Sequence, residues 1–428
     1  MNSKRASRRR FLKNGAALAS LTVGALRSAS GQTPGPETPA AVPKGYQPYG
    51  QRSHFESSTR TTFHAEGTPP PGVAPFQSWP AVFNPLQDSV GIITPSSLHY
   101  VVSTGSVPPD IDPRQHRLLI HGMVDRPLIF TLEELKRLPF VTRIHFLECA
   151  GDGSPNVLLT NKGEGPIIQR VMGFTSCSEW TGVLLSLLLR EAGVQTGAKW
   201  ISAEGAETAK HAKSIPLDKA MDDVIVAYGQ NGEAVRPDNG YPLRLLVPGW
   251  EGINNVKWLR RIQVMDQPPM HSRETNGYNS PRADGSKRWF QFQMGPKSII
   301  TFPSDAHRLP GPGFYQIKGL AWSGAGAVRR VEVSTDGGRT WNDAEFQGPV
   351  LPKAHSRFRL DWNWNGEETL IQSRCTDDQG VMQPTLAEFG KLRGVDVRVP
   401  PPNVSNHFNP IHSWKVARDG SVQYGLFS

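Results

Sequence analysis

Turn-forming residues interrupt this chain so often that long helical bundles fit it poorly. Its 428 residues include 42 glycines and 37 prolines, accompanied by 11 tryptophans. That mixture favours short strands joined by structured loops. Runs with strand character fall at 117–124, 141–148, 200–204, 223–228, 243–247 and 258–264. Helices are expected at 132–137, where Thr131 can cap the end ahead of Glu133 and Glu134, and at 183–192. Strands mixed with short helices, lacking a steady βαβ rhythm, give an α+β fold class. Pro and Gly become dense again at 295–315, and the pattern beyond changes to strands alone. Residues 328–333 alternate, 335–338 offer hairpin-turn chemistry, and 358–364 and 369–375 add two strands. Residues 297–400 therefore read as an immunoglobulin-like sandwich, without the Cys, Trp and Cys spacing of antibody domains.

The amino terminus points to export. Ser7, Arg8, Arg9, Arg10, Phe11, Leu12 and Lys13 form a twin-arginine signal, a route for proteins that are already folded, usually around a cofactor inserted in the cytoplasm. The apolar stretch at 15–26 is too short to span a bilayer, and Ser28, Ala29 and Ser30 suit a signal peptidase. Residues 1–30 are thus expected to be a signal peptide and 31–91 an extended arm, ahead of a soluble periplasmic cofactor enzyme. The formal charge of +9 is misleading as a sign of nucleic-acid binding. Seven basic and no acidic residues lie within 1–30, leaving 40 basic against 38 acidic in the remainder. No Lys/Arg run remains to track phosphates, so nucleic acid is not an expected partner. No stretch of 18 apolar residues follows the signal, so no membrane span is expected.

The three cysteines, Cys149, Cys177 and Cys375, include no C-x-x-C-H haem motif and no C-x-x-C pair. Cys149 stands at the lip of a glycine-rich turn, after an apolar strand. There it can act as a nucleophile, a soft-metal ligand or a buried structural thiol. Cys177 lies beside the expected helix start and Cys375 in a sandwich strand. A second cluster runs from Asn239 through Arg244 and Gly252 to Lys257. Two Pro/Gly-rich turns flank a strand there, placing a guanidinium and an ammonium where they can hold an anion such as a phosphate. Either cation alone reads better as an ordinary basic residue on a loop. Asp152 is a candidate to orient a proton or water near Cys149, and Asp377 with Asp378 reads as a solvated turn.

Cys149, Ala150 and Gly151, together with 239–244 and 255–258, resemble the sulfite oxidase family of molybdenum enzymes from about residue 92 to the end. Residues 331–341 are similar to that family's dimerisation domain. Residues 147–151, 179–183, 257–261 and 311–315 resemble its bacterial sulfane dehydrogenase branch. The resemblance implies a mixed α/β molybdopterin-binding domain at 92–294, then the sandwich as a dimerisation domain with a C-terminal tail at 295–428. It implies molybdenum–molybdopterin as cofactor, with Cys149 supplying the protein sulfur on the metal. Arg244, Asn255, Val256 and Lys257 would grip the cofactor phosphate, with Asn239 beside the pterin. Glu207, His99 and Tyr100 fall at further cofactor contacts, and Arg393 matches a substrate-binding arginine. Animal enzymes carry two more arginines where this chain has Val102 and Ser154, so free sulfite should be held less well. Arg170, near the expected mouth, is a candidate replacement. The implied activity is oxidation of sulfite or protein-carried sulfane sulfur by oxo transfer. The implied partners are a c-type, dihaem cytochrome, a sulfur-carrier protein and a second copy of the chain. The rival readings are a molybdenum-dependent sulfoxide reductase and a non-enzymatic periplasmic binding module.

Overall fold

The computed structural model describes residues 52–62, 81–103, 107–161, 163–275, 278–281, 286–290, 292–394 and 407–425. The twin-arginine signal and residues 31–51 and 63–80 of the expected arm lie outside these. The chain divides after Glu56, and the unit from Ser57 to Ser428 contains every sheet among the described residues.

Two sheets build the first half of this unit. One runs Glu233–Ala234, Ile225–Gln230, Thr175–Leu184 and Val141–Glu148, all antiparallel, with Arg244–Leu246 also paired to Ile225–Gln230. Successive side chains in this sheet serve two different cores. Phe146 and Cys177 pack on one side, Leu147 and Trp180 on the other. The second sheet runs Leu128–Phe130, Leu118–Gly122, Leu259–Met265, Trp200–Gly205 and Ala212–Pro216, with one parallel pairing, between Leu118–Gly122 and Leu259–Met265. Helix Leu185–Ala192 presents Leu185, Leu188, Leu189 and Ala192 to a core shared with Leu118, Ile120, Leu245 and Ile262.

The expected helix at 183–192 starts only at Leu185, because Val183 and Leu184 still pair with Val226 and Ile225. Cys177 therefore lies within a ten-residue strand, not beside a helix start. The helix expected at 132–137 forms as Leu132–Lys136. Glu134 N donates to Thr131 Oγ1 at 3.2 Å and Thr131 N to Glu134 Oε2 at 2.8 Å, a reciprocal cap.

The second half is the sandwich. Lys297–Phe302, Gly313–Trp322, Ser356–Trp364 and Glu345–Phe346 form one antiparallel sheet. Asn342–Asp343, Val328–Ser334, Thr369–Asp377, Ser413–Val416 and Val422–Tyr424 form the other. One apolar core crosses both halves: Leu86, Phe146, Ile168 and Met172 belong to the same cluster as Ile299, Trp322, Phe358 and Trp414. The sandwich is thus anchored to the first sheet by buried apolar area. Asp377 departs from its expected solvated setting. It is buried, accepts from Ser323 Oγ at 2.8 Å and closes its turn by accepting from Gln379 N and Val381 N. No helix among the described residues is long and apolar enough to cross a membrane.

Candidate active site

The strand Val141–Glu148 delivers Cys149 to the edge of a cleft. Cys149 N donates to Phe174 O at 2.9 Å and Asp152 N to Cys149 O at 3.0 Å, so the chain turns sharply there. Strand Arg244–Leu246 and the single turn Gly252–Asn254 bring in the second wall, and the His99–Tyr100 segment brings in the third. Eight residues nominated from the sequence line this one cleft: His99, Tyr100, Cys149, Glu207, Asn239, Arg244, Asn255 and Lys257.

Each is held by neighbours rather than by solvent. Arg244 is buried and donates to the carbonyls of Asn239 at 2.9 Å and Asn255 at 3.2 Å, with its guanidinium 5.0 Å from the centre of the Trp180 ring. Asn239 donates to Gln230 Oε1 at 3.0 Å, and Asn255 Oδ1 accepts from Val247 N at 2.7 Å. Lys257 Nζ donates to Val102 O, Ser103 Oγ and Asp238 O at 3.1, 3.1 and 2.9 Å. Glu207 Oε1 accepts from His211 N at 2.8 Å. His99 Nδ1 meets the Tyr100 carbonyl at 2.8 Å.

Burial dominates the electrostatics. It brings Arg244 down to about 10 and, with Arg244 adding repulsion, Lys257 down to about 7. It holds His99 at about 3 and His211 at about 4, both neutral at ordinary pH, and raises the Glu207 carboxyl. The Cys149 thiol is pushed up to about 12 by burial, with Asp152, Glu251 and Glu148 adding to the rise. Such a thiol is inert on its own, whereas a coordinated metal ion deprotonates it outright.

Four buried atoms of the cleft lining have no hydrogen-bond partner among the described residues: His99 Nε2, Glu207 Oε2, His211 Nδ1 and Arg244 Nε. Each unmatched group costs about 1–3 kcal/mol, and all four belong to residues that line the cleft, as expected where a polar ligand completes the site. Two under-neutralised cations, one soft sulfur donor and these unmatched atoms fit a phosphate-bearing pterin that holds molybdenum.

Other nominated residues lie elsewhere. Val256 is buried in the core, and its carbonyl accepts from Leu245 N, so it supports its neighbours without facing the cleft. Asp152 is buried behind the Cys149 turn, its Oδ1 accepting from Phe174 N at 2.8 Å and its Oδ2 from Lys297. Arg393 ends helix Leu386–Arg393 and donates to His407 O at 3.3 Å. His407 N in turn donates to Ala150 O, so His407 links Arg393 to the cysteine turn. Arg170 is not at the mouth. It ends the short helix Ile167–Arg170, donates to Asn161 O at 2.7 Å and lies near Asp305, whose carboxylate accepts from the first amides of that helix. Val102 lines the cleft as an apolar group. Ser154 caps helix Pro155–Thr160, accepting from Val157 N at 3.3 Å. The cleft also includes His211 and Tyr278, which no motif singled out. His211 sits four residues after Glu207, and that spacing was the one available signal.

A family model described as the oxidoreductase molybdopterin binding domain matches residues 104–272. A second, the Mo-co oxidoreductase dimerisation domain, matches 288–398. NADH nitrate reductase 1 of Arabidopsis thaliana is 35% identical over 314 residues, 64% of this chain and 33% of its own length. The NADH nitrate reductase of Ulva prolifera is 32% identical, covering 68% and 36%. The chain thus spans about a third of the length of these curated relatives. The crystal structure of the sulfane dehydrogenase SoxCD from Paracoccus pantotrophus matches with a TM-score of 0.80 and 39% identity, over 92% of this chain and 95% of that one. With the two domains in order and a cleft that suits the cofactor, the chain belongs to the sulfite oxidase family of molybdenum oxidoreductases, with molybdenum–molybdopterin as its cofactor.

Proposed function

We propose that the protein oxidises a reduced sulfur compound, sulfite or sulfane sulfur carried on a partner protein, and passes the electrons to a c-type cytochrome. The observation behind this reading is the match over almost the whole chain to a sulfane dehydrogenase, joined to a cleft with one thiol and two under-neutralised cations. Bound molybdenum–molybdopterin supplies oxygen-atom transfer and two-electron storage. Cys149 would hold the metal, while Arg244 and Lys257 would hold the phosphate and recover their full charge beside it. His99 stays neutral and offers Nε2 as a hydrogen-bonding group that adds no charge. Val102 adds no cation to the wall, and Ser154 is spent on its helix cap. Neither helps to hold a small free anion, which favours sulfur delivered on a carrier protein. Export by the twin-arginine route would place the protein in the periplasm, folded and loaded, as a dimer through its second domain.

Reduction of nitrate is the second reading, carried by the plant and algal nitrate reductase matches, and the sulfoxide reductase of the sequence analysis is tested beside it. The deciding assay supplies cofactor-loaded protein with sulfite, thiosulfate or carrier-bound sulfane sulfur and oxidised cytochrome c. In parallel, nitrate or dimethyl sulfoxide is tested with a reduced dye. Turnover is expected in the first arm, and Cys149→Ser should abolish it with the fold intact. Turnover confined to the second arm would overturn the proposal. So would a matured preparation that contains no molybdenum.

A further inference from the structure

The cysteine turn is gripped from behind by a side chain of the second domain. Lys297, first residue of strand Lys297–Phe302, is wholly buried. Its Nζ lies 2.9 Å from Glu148 Oε1 and 2.7 Å from Asp152 Oδ2, and donates a third bond to the Asp152 carbonyl at 2.9 Å. Glu148 immediately precedes Cys149 and Asp152 follows three residues later, so one ammonium holds both ends of the turn. The remaining carboxylate oxygens are matched as well. Trp322 Nε1 donates to Glu148 Oε2 at 2.7 Å, and Phe174 N to Asp152 Oδ1 at 2.8 Å. Burial pulls the Lys297 ammonium down, but Asp152 and Glu148 outweigh it and keep the group charged.

Gly153 makes the close approach possible. Its φ is +73°, and a Cβ there would lie 3.2 Å from Lys297 Nζ and 3.2 Å from the His412 ring. The apolar core already joins the two domains, and buried ion pairs are poor sources of net stability. What such a triad does well is fix geometry, since every bond has a direction and none can be exchanged for water.

We propose that Lys297 is a positioning residue for the metal-binding sulfur: it locks the turn from Glu148 to Asp152, and so makes the second domain part of the metal site. The proposal rests on the assignment of Cys149 as the metal ligand. Groups that orient metal ligands from behind typically change metal affinity or activity about 10–100-fold when replaced.

The test uses full-length, cofactor-loaded protein: wild type, Lys297→Met, the charge-balanced Lys297→Met/Asp152→Asn, Lys297→Arg and Cys149→Ser. The readouts are molybdenum per chain, the Mo(V) electron paramagnetic resonance spectrum after partial reduction, kcat and KM separately, and circular dichroism for the fold. The charge-balanced variant is expected to fold, to show a shifted Mo(V) spectrum and to lose about tenfold or more in kcat with little change in KM. If both Met variants unfold, Lys297→Arg decides, because it keeps the charge and moves it. A folded variant with the wild-type spectrum and wild-type kcat overturns the proposal. If Cys149→Ser keeps the wild-type spectrum, the ligand assignment itself has failed, whatever Lys297 does.

Discussion

The charge on Lys257 depends on what fills the cleft, which makes it a measurable reporter of the site. Its Nζ makes three hydrogen bonds to neutral oxygens and lies 4.7 Å from the centre of the Trp258 ring, with no carboxylate among these contacts. Burial, reinforced by Arg244, brings it from 10.5 down to about 7. Between those two values the unfolded chain holds a proton that the folded, cofactor-free chain has released. The unfolded state therefore binds more protons, and stability rises with pH across that window. One proton is equivalent to about 1.4 kcal/mol per pH unit. That is an upper bound, since the ammonium is partly open to solvent and screened. The assay is urea unfolding of cofactor-free protein at pH 7.5 and 8.5. Wild type should gain up to about 1.4 kcal/mol over that step. Lys257→Met, less stable at both pH values because three oxygens lose their donor, should lack that gain. The cysteines, whose thiols are raised by burial, act with the opposite sign but equally in both proteins, so the difference in slope isolates Lys257. Bound cofactor phosphate should keep Lys257 charged and remove the slope. Identical slopes in wild type and Lys257→Met would refute the electrostatic reading of the cleft.

Three further outcomes are expected. In Arg244→Lys one ammonium replaces a guanidinium that donates to both Asn239 O and Asn255 O. Loss of a charged hydrogen bond, about 1.5–3 kcal/mol, should weaken cofactor retention about 10–100-fold, measured as pterin left after gel filtration. Arg170→Ala should leave kcat/KM within about twofold of wild type, because its guanidinium serves Asn161 and not the cleft; a tenfold loss would return it to the mouth. Gly249→Ala should lower stability by about 1–3 kcal/mol or more. Gly249 has φ +76° and its Cβ would lie 2.1 Å from Gly324 O of the second domain, so an unchanged urea midpoint would contradict that packing.

Local pattern served well where the residue types themselves mark an element. The strand at 141–148 forms with those bounds, marked by Val141, Thr142, Ile144 and Phe146 although its last four residues are all buried. The Thr131 and Glu134 cap is a contact between residues three apart, so it needs no knowledge of the rest of the fold. Strand Thr175–Leu184 was illegible because its first four residues, Thr175, Ser176, Cys177 and Ser178, are small and mostly polar although all are buried, so they lack the apolar residues that mark a core strand. Strand Gly313–Trp322 opens in a Pro/Gly-rich stretch, and that composition concealed it.

By itself the sequence determined the class of fold, the order of the two domains and the cysteine, arginine and lysine chemistry of the cleft. The first two follow from composition and short-range periodicity, whereas the chemistry of the cleft was implied by the resemblance to the sulfite oxidase family, spacing alone leaving each residue open. Only the tertiary structure decided that Lys297 clamps the cysteine turn, that His211 and Tyr278 enter the cleft, and that Arg170 faces Asn161. Lys297 and Asp152 stand 145 residues apart, and burial alone brings their charges together. No pattern along the chain encodes that meeting, because a charge in low dielectric is governed by whatever packs around it in space.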